Sequence, residues 1–501
     1  MQDKGINYIC PLKQNPLSLY KSLFKQTAIY GIATVLPRML SFLLVRLHTD
    51  IMQPTNYGEI TTLMAYMVFL NVLLSYGMET SFFRFYNKEA DKSAVVETST
   101  LSVFWTSLAF LFIALLARDS IASLLEVKVD YVIYAIWILV LDALSTIPFA
   151  KLRAFQRPKL FAVIKFLNVG LNLALNFFFL YFLPKIVTAN PDSILASFYL
   201  ENFQIGYVLL ANVFASLATL LCFLPDYIKL KWIFNKALWF QMLKYGYPIL
   251  IAGLAFGINE HLDKILLDIF NVSKADIGAY GACYKLGLFM VLFRTAYSLG
   301  IEPFFFNHAK EENATTTFAE VTKYFVIVGS LMTLCIVVFI DVLKIILIDN
   351  SEYWPAIKVV PLIVLANFFL GIYTNLSVWY KLIDKTKMGM YISIVGAIIT
   401  LLLNFLLIPI WGYMGSAVAT ISAYGTMMFI SYYLGNKYYP IPYDLKKIGS
   451  YLGLAILLSG LSFYIPILRE TYIFGILAII FFSYFIYKNE KETILTILKR
   501  K

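Results

Sequence analysis

The sequence predicts an all-α integral membrane protein with about fourteen transmembrane helices. Hydrophobic residues make up 60% of the 501 residues and charged residues 14%, whereas soluble domains contain about 45–50% and about 25%. Apolar windows of about 20 residues, the length that crosses the hydrocarbon core, recur along the whole chain. Only short polar connections separate the windows, so there is no room for a soluble domain.

The predicted spans follow one another from residue 24 to residue 488. Short polar breaks separate most of them, and the last two have the weakest apolar pattern. In order, the spans cover 24–47, 59–82, 96–117, 130–150, 160–183, 203–224, 242–267, 277–304, 320–348, 356–380, 388–409, 413–434, 447–467 and 471–488.

The distribution of charge predicts the topology. The first segment, residues 1–23, reads "MQDKGINYICPLKQNPLSLYKSL" and is basic without the apolar core and cleavage site of a signal peptide. Lysine and arginine are concentrated in both termini, including the basic tail 489–501, and in the even-numbered connections. By the positive-inside rule, both termini are expected on the cytoplasmic side of the membrane. The net charge of +11 therefore reports topology and does not indicate nucleic-acid binding.

Two pairs of segments indicate an internal duplication. "SYGMETSFFRFYNK" near residue 75 matches "SLGIEPFFFNHAK" near 298, and "LALNFFFLYFLP" around Asn176 matches "LLLNFLLIPIWG" around Asn404 at nearly the same shift. The prediction is a first six-helix bundle over 24–230, a second over 240–434 and two additional helices over 446–488. Six is even, so the repeats are parallel, as in transporters whose two bundles enclose a central site. A receptor or scaffold that retains an old duplication is the alternative.

The seventh span contains an unusual polar stripe, "GINEHLDKILLDIF". At 100° per residue, Glu260, His261, Asp263, Lys264 and Asp268 fall on one side of the helix. One hypothesis is that these charges neutralise one another and hold helices together; the other is that they face a central cavity. We favour structural ion pairs for Asp263, Lys264 and Asp268, near the outer end, and a functional role for the deeper Glu260, because a deep charge is costly.

Further charges lie within or beside the other spans and suggest an anionic ligand. Arginine suits phosphate because its planar fork donates two parallel hydrogen bonds, and lysine adds a point charge. The candidate substrate-binding cations are Arg38, Arg84, Lys285 and Arg294, and the candidate coupling or cavity acids are Glu79, Glu260 and Glu302. A local ion pair between Glu79 and Arg84 is the alternative role for those two residues. The acids would balance an empty cavity or carry a coupling ion, Na⁺ or H⁺.

Motifs of enzymes and of metal or nucleotide binding are absent from the sequence. It has no phosphate-cradling glycine loop, no His-Glu-x-x-His and no nucleophile elbow. The four scattered cysteines have no metal-ligand spacing and are expected to be packing residues without disulfides. We therefore expect neither an enzyme nor a bound cofactor or metal. A membrane-embedded glycan polymerase or transferase would need a sizeable outer loop, and the longest candidate, "PKIVTANPDSILASFYLEN", has one Asp and one Glu.

Three segments resemble the polysaccharide-export flippase family of the multidrug/oligosaccharidyl-lipid/polysaccharide superfamily. They are "MQPTNYGEI", "LDKILLDIFNVSKADIGAYGACYKLG" and "LNFLLIPIWGYMGSAVATISAYG". The resemblance implies a V-shaped pair of six-helix bundles with a cleft lined largely by spans one, two, seven and eight. Pro37–Arg38 matches a Ser-Arg that is implicated in diphosphate binding in the related lipid II flippases, and Asp263–Lys264 stands where relatives usually have Asp-Arg. "RLHTD", from Arg46 to Asp50, departs from the Pro-Leu-Tyr-Thr-Arg of many relatives.

The resemblance also implies a function. We expect alternating-access transport of undecaprenyl-diphosphate-linked oligosaccharide to the outer leaflet of the bacterial inner membrane, where the chain would lie, for lipopolysaccharide, O-antigen or other surface polysaccharide biosynthesis. Expected partners are this lipid-linked substrate, membrane lipids and the polymerase or glycosyltransferases of the same pathway. A cation-coupled multidrug antiporter of the same superfamily is the alternative, and it predicts a cavity dominated by carboxylates.

Overall fold

The computed structural model describes residues 39–499 apart from 41, 310 and 384, together with all side chains in that range except those of 299, 300, 302, 303, 306, 307 and 493–499. The described residues form helices and connections, with no β-strand among them. The all-α prediction is therefore confirmed.

Nine helices are described before the connection over residues 229–235. Helix α7 continues through a π-helical turn, Phe178–Phe182, into α8, and a 3₁₀ turn, Ile194–Phe198, precedes α9. The helices are α1 over 39–51, α2 Pro54–Ser75, α3 Met78–Lys88, α4 Lys92–Leu116, α5 Arg118–Leu125, α6 Val129–Ala154, α7 Pro158–Phe177, α8 Leu183–Ala189 and α9 Gln204–Ile228.

Twelve further helices are described after this connection. Helices α11 and α12 are bent by 41° at Gly287, and a 3₁₀ helix, Ser351–Val359, leads into α15. The helices are α10 Lys236–Ile269, α11 Lys274–Leu286, α12 Leu288–His308, α13 Ala314–Val338, α14 Ile340–Leu347, α15 Val360–Leu376, α16 Val378–Leu382, α17 Lys387–Trp411, α18 Tyr413–Tyr438, α19 Leu445–Tyr464, α20 Pro466–Glu470 and α21 Ile473–Lys499.

Helix ends follow local sequence signals. Pro54 and Pro158 begin α2 and α7, where the missing N–H of proline costs no intrahelical hydrogen bond. The side chains of Asp91 and Asn235 cap α4 and α10 by accepting hydrogen bonds from backbone N–H groups of the first turn. Gly77 has a φ of +72° and separates α2 from α3, a conformation that glycine adopts without steric cost.

The helices pack into two groups that meet around a shared cavity. In the first group, α9 packs on α6 and α7, and α4 packs on α3 and α6. In the second group, α18 packs on α15 and α17, and α17 also contacts α10. The groups touch where α2 contacts α10 and α11 and where α3 contacts α10.

The count of fourteen spans is not confirmed. Within the described residues, eleven helices are long and apolar enough to cross a membrane, or twelve if the bent pair α11–α12 is one span. The first predicted span lies partly outside the described residues. The seventh is α10, whose 34 residues include the polar stripe from Asn259 to Lys264 that lowers its hydropathy.

The domain boundaries stay predictions, although two observations bear on the duplication. Residues 229–235, at the expected boundary between the bundles, are not helical. Asn176 and Asn404, the matched pair of the repeat, are both fully buried, and each Nδ2 donates to the backbone carbonyl of the residue four positions earlier, Asn172 and Thr400 respectively.

Helices α19 and α21 attach to the second group through α13. Their interface contains the buried side chains of Leu334, Tyr451 and Phe482. Polar contacts reinforce it near one membrane face, where the buried Glu490 accepts from Lys323 at 3.0 Å and from Lys447 at 3.1 Å. The two C-terminal helices are thus fixed to one bundle.

Candidate functional site

A cavity of about 540 Å³, lined by apolar side chains and by a set of polar and charged ones, lies between the two helix groups. Helices α1, α2, α7 and α9 form one wall, and α10, α11 and the start of α12 form the other. Helices α1, α2 and α10 and the bent pair α11–α12 correspond to spans one, two, seven and eight, from which the resemblance implied that a cleft would be formed. The polar lining residues are His48, Tyr57, Thr61, Asn168, Asn172, Asn212, Glu260, His261, Lys264, Tyr284 and Lys285.

One end of the cavity is closed by a close approach of α2 and α11. We call it the outer end, following the predicted topology. A Cβ atom on Gly58 would overlap the carbonyl oxygen of Lys274, and one on Gly278 would overlap that of Pro54. Close helix packing of this kind requires small residues. The two glycines therefore allow the two helix groups to pack tightly against each other at the outer end of the cavity.

Asp263 and Lys264 form a buried ion pair. Lys264 Nζ lies 2.8 Å from both carboxylate oxygens of Asp263, and the Tyr280 hydroxyl donates to Asp263 Oδ2 at 2.6 Å. The Lys264 ammonium also lies 3.9 Å from the centre of the Tyr284 ring. Lys264 is thus neutralised and held in place, although it still lines the cavity.

Lys285 is the cation of this wall that lacks a described acidic partner. Its half-buried side chain lines the cavity one helical turn from Gly281. It makes no ion pair or hydrogen bond with any residue that the structure describes, and Lys264, His261 and His48 lie within electrostatic range of it. Lys285 therefore presents to the cavity a positive charge that no described acid neutralises, on the same wall as the carboxylate of Glu260.

Glu260 contacts a tyrosine rather than a lysine. Its Oε1 accepts a 2.7 Å hydrogen bond from the Tyr424 hydroxyl, while Lys264 Nζ reaches only its backbone carbonyl, at 3.3 Å. The expected i, i+4 order of Glu260 and Lys264 thus does not produce a salt bridge between them. The carboxylate lies at the cavity wall, where a cation or a proton can reach it.

Arg294 lies beside the cavity rather than in its lining. Its aliphatic stem is next to Gly371 of α15, and its charge acts on Tyr284 and Tyr424. The half-buried guanidinium has no hydrogen-bond or ion-pair partner among the described residues. Arg294 therefore lies within electrostatic range of Tyr424, the same tyrosine that donates a hydrogen bond to Glu260. Its positive charge is in position to act on the α11 wall from outside the cavity.

Glu79 and Arg84 lie away from the cavity. Glu79 forms an ion pair with Arg153 of α6, not with Arg84. The exposed Arg84 lies 4.1 Å from the centre of the Tyr245 ring. The structure therefore places Glu79 in a salt bridge between α3 and α6, and Arg84 at a contact between α3 and α10.

The remaining predicted residues are placed as follows. Arg38 lies outside the described residues, and Glu302 lies within α12 with its side chain among those not described. Asp268 forms an ion pair with Lys274, across the turn from α10 to α11. This pair ties together the two helices that carry Lys264 and Lys285.

The opposite wall carries asparagines that the sequence analysis did not single out as site residues. Asn168 and Asn172 of α7 and Asn212 of α9 line the cavity, and Asn172 Nδ2 donates to Asn212 Oδ1 at 2.7 Å. Behind them, Asn176 Oδ1 lies 2.9 Å from His48 Nε2. The sequence did contain a signal for these residues, because Asn168, Asn172 and Asn176 are spaced four apart and share one face of a helix.

The described residues contain no cluster of three His, Cys, Asp or Glu side chains suited to hold a metal ion. Cys222, Cys283 and Cys335 are free thiols, and Cys10 lies outside the described residues. The chemistry of the site therefore rests on its charged and amide side chains.

Two bundles of membrane helices around a polar, charged cavity define a transporter-type membrane protein. Comparisons with known proteins agree with this class. The family model described as "Polysaccharide biosynthesis protein" matches residues 23–297, more than half of the chain, and the MatE model matches residues 248–406. The chain belongs to the polysaccharide biosynthesis protein family, a flippase family of the superfamily named above. Comparison with curated protein sequences gives no significant match.

Solved structures show the same fold at low sequence identity. The lipid II flippase MurJ, in an inward closed conformation, matches with a TM-score of 0.68 and 15% identity, over 92% of this chain and 99% of that one. An inward-facing multidrug resistance MATE family transporter matches with a TM-score of 0.63 and 12% identity, over 83% and 95%. The MATE transporter VcmN of Vibrio cholerae matches with a TM-score of 0.56 and 16% identity, over 84% and 97%.

Proposed function

We propose that this protein flips an undecaprenyl-diphosphate-linked oligosaccharide across the bacterial inner membrane by alternating access, for surface polysaccharide biosynthesis. The main observation is the unpaired Lys285 in a polar cavity between the two bundles. An unpaired charge at the centre of a membrane helix costs about 2.5–3.5 kcal/mol on insertion scales, and an anionic headgroup would offset this cost. The family match and the fold of a lipid II flippase support the same substrate class.

In this proposal each charged residue has its own role. Lys285 binds the diphosphate. Arg294 adds positive charge from beside the cavity, and Arg38, in the first predicted span, is expected to add a further positive charge. Lys264 contributes less, because Asp263 already neutralises it. The isoprenoid tail stays in the bilayer. Glu260 binds the coupling ion, Na⁺ or H⁺, and its hydrogen bond to Tyr424 links that event to α18.

Complementation of a strain without its own copy of this gene tests the proposal. Lys285→Ala should lower export by about ten- to a hundredfold, since a hydrogen bond to a charged group contributes about 1.5–3 kcal/mol. The readout is surface polysaccharide normalised to the amount of protein in the membrane. Lys185→Ala is the matched control, because Lys185 is exposed and lies 3.8 Å from the Tyr181 ring, away from the cavity. Unchanged export in both Lys285→Ala and Arg294→Ala would contradict the cavity assignment.

A cation-coupled multidrug antiporter is the second candidate. The MatE model match and the MATE structures favour it, as does Glu260 at the cavity wall. It predicts that deletion increases sensitivity to cationic drugs and leaves surface polysaccharide intact. The flippase predicts the reverse, so one deletion strain separates the two functions.

A further inference from the structure

The two walls of the cavity differ in chemistry. The wall of α10 and α11 carries Lys264, Lys285 and Glu260, whereas the α7–α9 wall presents the neutral amides of Asn168, Asn172 and Asn212. We propose that this asparagine wall recognises the sugar part of the headgroup, by hydrogen bonds to its hydroxyl and amide groups, while Lys285 holds the diphosphate on the opposite wall. This inference rests on the function proposed above.

The asparagine wall retains unused hydrogen-bond capacity. A primary amide has two N–H donors and an oxygen with two lone pairs. Asn168 Nδ2 donates to Thr219 Oγ1 at 3.0 Å, and its Oδ1 has no partner among the described residues. Asn172 Nδ2 uses one hydrogen for Asn212 Oδ1. The half-buried Asn168 therefore offers a free acceptor, and Asn172 offers a free donor, toward the cavity.

Contacts behind the wall fix its amides in place. The buried Asn176 donates from Nδ2 to Asn172 O at 2.8 Å and to Asn172 Oδ1 at 2.9 Å. Asn212 Nδ2 donates to the backbone carbonyl of Val208 at 2.9 Å. Such supporting hydrogen bonds set the orientation of each amide before a ligand arrives, which lowers the entropy cost of binding. A fixed set of donors and acceptors is suited to discriminate one arrangement of hydroxyl groups from another.

The chemistry of the wall fits a sugar better than a phosphate or a cation. Among the described lining residues of α7 and α9 there is no charged side chain, and Val169 and Val208 separate the asparagines. Neutral amides bind neutral hydroxyl and acetamido groups, and the valines can contact the C–H faces of a sugar ring. The cavity of about 540 Å³ lies within the usual range of small-molecule sites, about 300–1,000 Å³.

Binding of two probes to the purified full-length protein tests the inference. One probe is undecaprenyl diphosphate without sugar, and the other is the lipid-linked oligosaccharide extracted from the host strain. Asn168→Leu should weaken binding of the oligosaccharide lipid by about two- to tenfold, because a neutral hydrogen bond contributes about 0.5–1.5 kcal/mol. It should leave binding of undecaprenyl diphosphate unchanged. Val163→Ala, at an exposed position of α7 outside the cavity lining, is the control and should leave binding of both probes unchanged.

Lys285→Ala separates this inference from the proposed function. It should weaken binding of both probes; if it changes neither, the phosphate site itself is wrong. If Lys285→Ala acts as expected but Asn168→Leu weakens both probes equally or neither, the asparagine wall is not a sugar site. Asn168→Gln, which keeps the amide, provides a second variant if Asn168→Leu does not fold, and it should shift the preference between lipid-linked oligosaccharides of different sugar composition. An unchanged preference in a folded Asn168→Gln protein would also contradict the inference.

Discussion

The hydroxyl of Tyr424 donates a hydrogen bond of 2.7 Å to Oε1 of Glu260 and approaches the backbone carbonyl of Asn259 at 3.3 Å. This contact joins α18 to the last third of α10. Tyr424 is almost fully buried, with 1% of its surface exposed. No described cation pairs with Glu260, so the tyrosine is its principal stabilising contact.

Replacement of Tyr424 or of Glu260 should separate the effect of the hydrogen bond from the effect of the carboxylate charge. Tyr424→Phe leaves the carboxylate without its donor and should lower the free energy of unfolding by about 1.5–3 kcal/mol, the usual contribution of a hydrogen bond to a charged group. Glu260→Gln keeps an oxygen that accepts the bond, so it should fold but lose the dependence of export on the ion gradient. Unfolding in mixed micelles and export at varied Na⁺ and pH measure the two effects. Gradient-dependent export by Glu260→Gln would show that Glu260 is structural.

The Asp263–Lys264 pair predicts that removal of one charge lowers the stability strongly and that removal of both charges restores most of it. Only 5% of the Asp263 side chain and 8% of the Lys264 side chain are exposed. Asp263→Asn leaves the lysine charge uncompensated, which should cost about 3–5 kcal/mol. The double variant Asp263→Leu with Lys264→Met removes both charges and should recover most of this loss in the same unfolding measurement. A double variant no more stable than Asp263→Asn would mean that the hydrogen bond from Tyr280, not the ion pair, dominates.

Sequence alone predicts the parts of this molecule that depend on local pattern. Apolar windows indicated most of the spans, and the adjacency of Asp263 and Lys264 indicated their pairing. The partner of Glu79 could not be predicted, because Arg153 is on another helix and only the packing of α6 against α3 brings it near. A helical wheel identifies a side chain's direction but not the helix that it meets.

The asparagine wall is a second example of what sequence alone cannot predict. The four-residue spacing of Asn168, Asn172 and Asn176 was visible in the sequence, yet charge drew attention to the opposite wall. Asn212 belongs to α9, and its contact with Asn172 depends on the packing of α7 against α9. The cavity, unlike the helices, is a property of tertiary packing, so its lining could be listed only from the structure.

The glycines that close the outer end predict a conformational block. Gly278→Ala places a methyl group against the carbonyl oxygen of Pro54. The substitution should therefore disfavour the state that is closed at this end and reduce export while leaving the amount of protein in the membrane unchanged. Gly170→Ala is the matched control, since nothing lies within 4 Å of its added Cβ. With Thr61→Cys as a probe in the cavity, a thiol reagent added from the outside should react faster in the Gly278→Ala variant than in the Gly170→Ala variant. Equal reaction rates in the two glycine variants would contradict the proposed closure.

The ion pair between Arg469 and Asp341 predicts a pH-dependent attachment of the C-terminal helices. Arg469 Nε and Nη2 each lie 2.7 Å from an oxygen of Asp341, joining α20 to α14, which lies beyond the end of the membrane-crossing helix α13 at Val338. Burial acts to raise the pKa of Asp341, but hydrogen bonds from Arg469 and Lys344 outweigh it and hold the pKa below 3.8, its ordinary value. A carboxyl group with a lowered pKa in the folded state stabilises the fold above its unfolded pKa, and this stability is lost as the pH falls through the folded pKa.

Asp341→Asn should therefore lower the melting temperature in detergent at neutral pH, and the difference from the unsubstituted protein should shrink once the pH falls below about 4, near the ordinary pKa of aspartate. Melting curves recorded across this range provide the measurement. Asp192→Asn, at an exposed aspartate of the connection before α9, is the control and should melt like the unsubstituted protein at every pH. A difference that stays constant down to pH 2 would show that Asp341 acts through packing, because the loss of its charge would then have no effect.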